Sequence, residues 1–337
     1  MSIIIFPPTI DWSWMKQRPQ QLAKQFARNG HIVCYCNKTF EDKPIEEVEE
    51  NLFVVFNHAK WIKSQFSEMR RRTMDKVIVW NSWPKLVDFI QQYNPDKVIY
   101  DCIDEFPQWL PYEEKMAQSA DAIVCSSQRL FNRMTREHSN KRIEMARNAY
   151  DTDLGLHIQS ESDHIYPIDL PKNGNKIVGY VGAWAPWIDE TLVKKMKDEL
   201  EGVEIVVIGP EFGRKFSERK LEGVTYLGIK PHQELKHYIH AFSVCLIPFQ
   251  MTPTTRATNP VKAYEYLSAG KPVISTNLPE CRLLAPYVDV ANTRKQFIKL
   301  VKKRLVHPGN AQGRIRFALE NSWENRAKKL ESLLNEI

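Results

Sequence analysis

Short unbroken apolar runs alternate along this chain with longer stretches in which apolar residues recur every three or four positions. In the first half the runs are Ile3–Phe6, Ile32–Tyr35, Val77–Trp80, Val98–Tyr100 and Ile123–Cys125. Helical spacing lies between several of them, over Pro19–Arg28, Pro84–Tyr93 and Gln128–Glu137. The pattern restarts with Ile177–Val181, Ile205–Ile208, Val224–Leu227, Val244–Ile247 and Val273–Ser275. Helical spacing there covers Glu190–Leu200, Gln233–Ala241, Pro260–Ala269 and Lys295–Val306, and a charged helical tail follows over Ser322–Leu334. Continuous apolar strands separated by helices predict parallel sheets covered on both faces. The polar, proline-bearing stretch near 157–175, with Ser160, Ser162, Pro167, Pro171 and Gly174, reads as a linker. The expected organisation is α/β, with two Rossmann-like αβα domains facing a central cleft. Residues 1–156 form the first domain, 157–175 the linker and 176–320 the second domain, and a C-terminal helix at 321–337 is a candidate to return to the first domain. In such sheets a ligand binds at the carboxyl ends of the strands.

The most informative segment is Asn259–Thr276, NPVKAYEYLSAGKPVIST. Asn259 is a suitable helix cap, and Pro260 suits a first helical position. Val261, Tyr264, Leu267 and Ser268 keep helical spacing, Gly270 fits the position after the helix, and Pro272 leads into a β-branched run. A helix opened in this way aims free N–H groups and its positive dipole end at whatever precedes Asn259, a ready site for a phosphate. Glu265, one to two turns in, can accept hydrogen bonds from sugar hydroxyls. The plain alternative is a capped helix packed on a sheet.

Composition narrows the picture. The 337 residues suit two domains, and 43% hydrophobic with 26% charged content is ordinary for a globular chain. The formal charge of +6 is a modest basic excess that suits anionic ligands and does not by itself imply nucleic acid. Six scattered cysteines without a C-x-x-C pair read as reduced core residues. The first residues, MSIIIFPPTIDW, carry neither a basic leader nor a long apolar span, so the expected location is cytoplasmic, at most peripheral to the inner membrane face.

Several other motifs carry chemistry. No G-x-G-x-x-G and no P-loop lysine motif occurs, which argues against a dinucleotide oxidoreductase and a P-loop enzyme. Asp151-Thr-Asp153 spells D-x-D, which elsewhere holds a divalent metal, but here it trails a strand and reads as structural, so no metal is expected. His232, His237 and His240 lack further ligands at zinc spacing. Residues 60–76, KWIKSQFSEMRRRTMDK, mix Trp61, Ile62, Phe66 and Met69 with basic residues, and suit either contact with anionic lipid or a helix packed on its own domain.

Taken in order, these motifs resemble the GT-B glycosyltransferases, in particular the large retaining, family 4-like group that builds bacterial glycans from nucleotide-sugars. The resemblance is carried by DWSWMKQRPQQLAKQFARNGHIVCY, KVIYDCIDEF, RNAYDTD, IVGYVGAWAPWID, GVTYLGIKPHQEL and FSVCLIPF, together with the Asn259 segment, and so spans almost the whole chain. Three features depart from it. The family often carries two glutamates eight positions apart; Glu265 matches the second, and Ala257 occupies the place of the first. The glycine-rich loop after the first strand is replaced by PPTIDWSW. The family's Arg and Lys pair has Arg214 and Lys215 as its nearest candidates, with Arg256 as another source of positive charge.

The resemblance implies a transferase that moves a hexose-type sugar from a nucleotide diphosphate donor to a hydroxyl of a glycan or glycolipid acceptor, with retention and without a metal. A UDP-sugar is the first expectation for the donor, and no separate cofactor is expected. The expected donor-binding residues are Gly182, Arg214, Lys215, Ile229, Arg256, Thr258, Asn259, Lys262 and Glu265. Asp104, at a strand end, would orient an acceptor hydroxyl or the sugar, and Arg18 would meet an acidic acceptor. Two rivals stay open. One is a non-catalytic nucleotide- or glycan-binding protein on the same fold, suggested by Ala257. The other is a nucleotide-sugar epimerase, whose acid and base residues the sequence does not mark.

Overall fold

The computed structural model describes residues 1–73, 76–158, 165–219 and 221–337. The chain divides into two compact units, Met1–Arg147 with Trp323–Ile337, and Asn148–Ser322. The first unit thus ends at Arg147, ahead of the 156 boundary expected from the sequence.

The first unit holds one sheet of eight strands. They are β1 (Ser2–Phe6), β2 (Ile32–Cys36), β3 (Glu46–Glu49), β4 (Leu52–Val55), β5 (Lys76–Asn81), β6 (Lys97–Cys102), β7 (Ala122–Cys125) and β8 (Arg142–Met145). Their order is β3-β4-β2-β1-β5-β6-β7-β8, and every pair is parallel except β3 with β4. The helices are α1 (Arg18–Arg28), α2 (His58–Trp61), α3 (Ser67–Thr73), α4 (Leu110–Ser119), α5 (Gln128–Glu137) and, from the chain end, α13 (Trp323–Glu336). β1, SIIIF, is buried throughout, as a strand covered on both faces must be. Phe6, Phe26, Tyr35 and Trp80 stack beside it, with Phe26 and Trp80 ring centroids 5.0 Å apart. The return helix α13 is tied to the turn after α1, where Asn29 Nδ2 donates to Glu331 Oε1 at 2.7 Å.

The second unit holds six parallel strands. They are β9 (Lys176–Val181), β10 (Val203–Ile208), β11 (Val224–Tyr226), β12 (Val244–Ile247), β13 (Val273–Thr276) and β14 (Val288–Ala291), in the order β11-β10-β9-β12-β13-β14. Its helices are α6 (Glu190–Glu199), α7 (Leu235–Ala241), α8 (Pro253–Ala257), α9 (Val261–Ser268), α10 (Pro279–Arg282), α11 (Arg294–Val306) and α12 (Ala311–Glu320). Counted from β9 this is the 3-2-1-4-5-6 order of a doubly wound dinucleotide fold.

The differences from the sequence pattern have physical causes. The expected runs leave out β3 (EEVE), β8 (RIEM) and β14 (VDVA), which are sheet edges and can carry polar residues, and also β4 (LFVV), an apolar interior strand that the edge argument does not cover. Pro84–Tyr93 is not one helix but two 3₁₀ turns, Pro84–Leu86 and Phe89–Tyr93, closed by Asn94 in a left-handed conformation (φ 46°). Of the expected linker, 159–164 with Ser160 and Ser162 lie outside the described residues. The remainder packs on the second unit: Leu170 is buried in its core, and Asp169 accepts from the Tyr238 hydroxyl at 2.9 Å. All six cysteines are buried free thiols. Burial pushes Cys36, Cys245 and Cys281 up to about 12, so none of these is a thiolate at neutral pH.

One buried ion pair braces the first unit. Arg18, at the start of α1, donates from Nε to both Asp101 oxygens at 3.0 and 2.8 Å, and Trp80 Nε1 donates to Asp101 Oδ2 at 3.1 Å. Arg18 Nη1 also donates to the Ala146 carbonyl at 2.7 Å, and its guanidinium lies 5.8 Å from the Trp323 ring centre. Removing one member of a buried pair strands the other charge, which costs about 3–5 kcal/mol, whereas an apolar replacement of both is near neutral. Asp101→Ala is therefore expected to lower the urea midpoint of the first unit sharply, and the double change Arg18→Met with Asp101→Leu to recover most of that loss. An Asp101→Ala midpoint equal to wild type would show that the pair does not brace the unit.

Candidate functional site

In the second sheet the connections from β9 and β12 run to opposite sides, and the crevice at their carboxyl ends is the natural ligand position. Three glycines keep side chains away from the neighbouring strand ends. The Gly182 N–H donates to Ile208 O and the Gly209 N–H to Gly228 O, both at 2.8 Å. A Cβ on Gly209 would stand 2.1 Å from the Gly182 carbonyl oxygen, at a φ of +145° that side chains rarely adopt. Tyr266 on α9 locks this floor: its buried hydroxyl accepts from the Val181 N–H at 2.7 Å. The loop after β9 is joined to the loop after β12 through Gln250 N–H to Trp187 O at 2.7 Å.

The segment after β12 presents charge and free donors. Thr252 caps α8 and exchanges hydrogen bonds with Thr255. Asn259 is not the cap of α9, as its sequence position suggested. Its side chain is buried and already used, accepting from the Asn148 N–H at 3.0 Å and donating to Glu280 Oε2 at 2.8 Å. Pro260 is the N-cap instead, extended at φ −75°, ψ 114°, so the helix opens one residue later than expected. The Ala263 N–H turns back to Pro260 O at 3.1 Å. The N–H groups of Val261 and Lys262 have no acceptor among the described residues, and they point out of the positive end of the helix.

The expected donor residues separate into groups. Gly182, Thr258, Asn259, Lys262 and Glu265 lie on β9 and the α8–α9 segment that Tyr266 joins to it. Glu265 is buried and pairs with Lys262 at 2.8 Å, so Lys262 holds the carboxylate in place and is not an open cation. Thr258 donates from its hydroxyl to Thr254 O at 3.0 Å. Arg214, after β10, is spent on Glu190 at 2.9 Å, and Lys215 is exposed, 3.8 Å from Glu218. Ile229, after β11, is 61% exposed. Arg256, exposed on the last turn of α8, makes no ion pair among the described residues. Ala257 is fully buried, so the place of the missing carboxylate is packed by a methyl group. Sequence reasoning missed Tyr266, Glu280 and Asn148. A tyrosine inside a helical pattern was the available signal for the first; the other two act over long separations that leave none.

In the first unit Arg18 is buried on Asp101 and cannot meet an acceptor at the surface, contrary to its expected role; it positions the loop after β1 instead. Asp104 is half-buried just past the end of β6. Asp151 caps the short turn Thr152–Leu154 by accepting from the Asp153 N–H at 3.2 Å, and no cluster of metal-ligating side chains forms among the described residues. Of 60–76, Met74 and Asp75 lie outside the described residues. Trp61 and Phe66 are buried in their own unit against His58 and Tyr93. No helix among the described residues is long and apolar enough to cross a membrane. A cavity of about 490 Å³ opens at the amino ends of β9 and β10, lined by Lys176, Gly202 and Lys302. It lies at the opposite end of the sheet from the site and holds none of its residues.

Residues 175–303, within the second unit, match the family model described as Glycosyl transferases group 1. The putative teichuronic acid biosynthesis glycosyltransferase TuaH of Bacillus subtilis (strain 168) is 25% identical over 237 residues, 64% of this chain and 59% of that protein. The chain therefore spans about three fifths of that relative's length. Among solved structures, sucrose-phosphate synthase from Thermosynechococcus elongatus superposes with a TM-score of 0.74 at 14% identity, covering 100% of this chain and 99% of that one. HepE of Anabaena, in complex with UDP and glucose, gives 0.68 at 12% identity, covering 100% of both chains. The fold is GT-B, and residues 175–303 carry the match to the glycosyl transferases group 1 model.

The Gly209 approach generates a test of the floor. Gly209→Ala is expected to destabilise the second unit by about 1–3 kcal/mol through clash and backbone strain. Thermal unfolding unchanged from wild type would show that the two strand ends tolerate a wider spacing.

Proposed function

We propose that this chain, built on a GT-B fold with a glycosyl transferases group 1 domain at 175–303, transfers a hexose-type sugar from a nucleotide diphosphate donor to a hydroxyl of a glycan or glycolipid acceptor, with retention. The observation that carries the reading is the opening of α9. Two N–H groups without an acceptor and Arg256 without an ion pair, among the described residues, stand at the carboxyl ends of the switch-point strands of that domain. Breaking a glycosidic bond to a diphosphate leaves negative charge on the diphosphate while the sugar becomes oxocarbenium-like. Fixed donors and a cation aimed at that charge lower the barrier because they need no reorganisation. The Val261 and Lys262 N–H groups and Arg256 supply them here.

Glu265, oriented by Lys262, accepts from the ribose hydroxyls of the nucleotide, and the exposed backbone near Gly228 and Ile229 lies on the base side. A UDP-sugar is the donor we favour, because solved structures of like fold contain UDP. The name of the curated relative, a putative teichuronic acid biosynthesis glycosyltransferase, supports polysaccharide biosynthesis as the setting. On the first unit, Asp104 faces the acceptor and Arg18 acts as a positioning residue through Asp101. Arg214 and Lys215 take at most a peripheral part, since nearby carboxylates hold them. A second reading, a nucleotide- or glycan-binding protein without turnover, is favoured by one observation, the buried Ala257 in place of a carboxylate.

Losing a hydrogen bond to a charged group costs about 1.5–3 kcal/mol, or roughly ten- to hundredfold in affinity. Glu265→Ala is therefore expected to weaken UDP binding by that factor in calorimetric titration, and affinity equal to wild type would remove Glu265 from the site. Slow hydrolysis of a UDP-hexose without acceptor supports the transferase, and tight UDP binding with no turnover on any donor supports the second reading.

Because helix donors and Arg256 carry the leaving-group charge in this proposal, EDTA is expected to leave most of the activity intact. Asp151→Asn with Asp153→Asn is expected to change it little. Complete loss in EDTA restored by magnesium or manganese would overturn this account of the charge.

A further inference from the structure

The first unit has a switch point of its own, and its chemistry differs from that of the second. β1 lies beside β5, and the connections leaving them run to opposite sides of the sheet. Three lysines at the carboxyl ends of these and the adjoining strands lie over aromatic rings. Lys16 Nζ is 3.6 Å from the Trp12 ring centre, Lys38 is 5.2 Å from Trp83, and Lys85 is 5.6 Å from Tyr112. These contacts join separate loops, Lys38 after β2 with Trp83 after β5, and Lys85 with the start of α4. The Trp12 N–H bonds Asn37 Oδ1 at 2.8 Å and links the loop after β1 to that after β2. Further large apolar side chains stand open on the same loops, Trp14 at 50% and Phe40 at 67% exposure. Single exposed apolar residues mean little, but a run of them linked across adjacent loops at a switch point marks a binding surface.

We propose that this edge binds an acidic saccharide as the acceptor, sugar rings lying on the open aromatic faces while their carboxylate or phosphate groups pair with Lys38 and Lys85. Aromatic faces receive the C–H side of sugar rings, and neither lysine makes an ion pair among the described residues. Asp11 accepts from the Thr39 N–H at 2.7 Å and the Thr39 hydroxyl at 2.6 Å; against the opposing effect of burial, these bonds and the nearby Lys38 charge hold its carboxyl below the ordinary value, without an ion pair between Lys38 and Asp11 among the described residues. Each ammonium held over a ring keeps its charge and most of its donors for an incoming anion. A neutral glycan would use the rings and leave the lysines idle. The acidic acceptor expected of Arg18 is thereby transferred to residues that are open to it. This inference rests on the glycosyltransferase reading and narrows its acceptor.

The test uses the full chain and three probes, a glucuronic acid oligosaccharide, a glucose oligosaccharide of equal length and a glucose phosphate, with UDP binding measured in parallel. At least one acidic probe is expected to bind about tenfold tighter than the neutral one and to weaken as salt is raised. Which acidic probe binds identifies the anion as carboxylate or phosphate. Lys38→Gln with Lys85→Gln is expected to abolish that preference and to leave UDP affinity at the wild-type value. Equal binding of acidic and neutral probes overturns the proposal, as does an acidic preference that survives both substitutions. So does binding of anionic lipid vesicles through these lysines with no saccharide bound. UDP binding separates the two readings: if the wild-type chain fails to bind UDP, the donor assignment falls, and if it binds UDP without an acidic preference, only the acceptor class falls.

Discussion

A parallel strand cannot be reached by a tight turn, and that constraint arranges everything of interest in this protein. Every strand pair but β3 with β4 is parallel, so each connection outside that pair must leave at one edge of the sheet and re-enter at the other. All carboxyl-end loops of a unit therefore gather on one edge. Where the winding reverses, between β9 and β12 and again between β1 and β5, the loops part and leave room. The residues with open chemistry in each unit lie there: free helix donors and Arg256 in one, lysine-covered aromatic rings in the other.

Gathering loops is not enough, because a loop that moves cannot hold a ligand in one geometry. Each unit spends buried polar interactions to fix its edge. In the second, the Tyr266 hydroxyl fastens α9 to the last residue of β9, and Asn259 joins Asn148 to Glu280 inside the fold. In the first, Arg18 reaches Asp101 and Ala146 together, so the loop after β1 is set against β6 and the end of the unit's main segment. A buried ion pair of this kind adds little net stability compared with apolar packing, and its value lies in specifying one arrangement.

Much of the frame was legible in the sequence because it depends on local periodicity. The runs at Ile3–Phe6, Ile177–Val181 and Val244–Ile247 are strands, and Gln128–Glu137 is a helix with those ends. The position of Glu265 one to two turns into a helix was equally readable. Partner choice was not. Arg18 looks like a first-turn surface residue until Asp101 arrives 83 residues later, and Asn259 looks like a cap until Asn148 claims it across 111 residues. Lys262 and Arg214 read as cations for a phosphate, yet each finds a carboxylate, one three positions along its own helix and the other at the start of α6. Sequence alone supplies charges; only the fold decides which of them are already paired.

That distinction gives the two edges different characters. An ion-paired lysine or arginine offers an incoming anion little, because its field is cancelled at short range and its donors are occupied. By this measure most of the basic candidates of the second unit are quiet, and the charge left for a diphosphate is concentrated at Arg256 and the first turn of α9. The first unit keeps Lys38 and Lys85 over aromatic rings, where the ring quadrupole steadies the ammonium without neutralising it. A diphosphate is compact and doubly charged, and suits a few fixed donors at one helix end. A saccharide with spaced acidic groups is long and weakly charged, and suits cations spread along a surface that also contacts its rings. On the proposed reading, the fold leaves its open cations in one concentrated group and one extended group, suited to a donor and an acceptor of different shape.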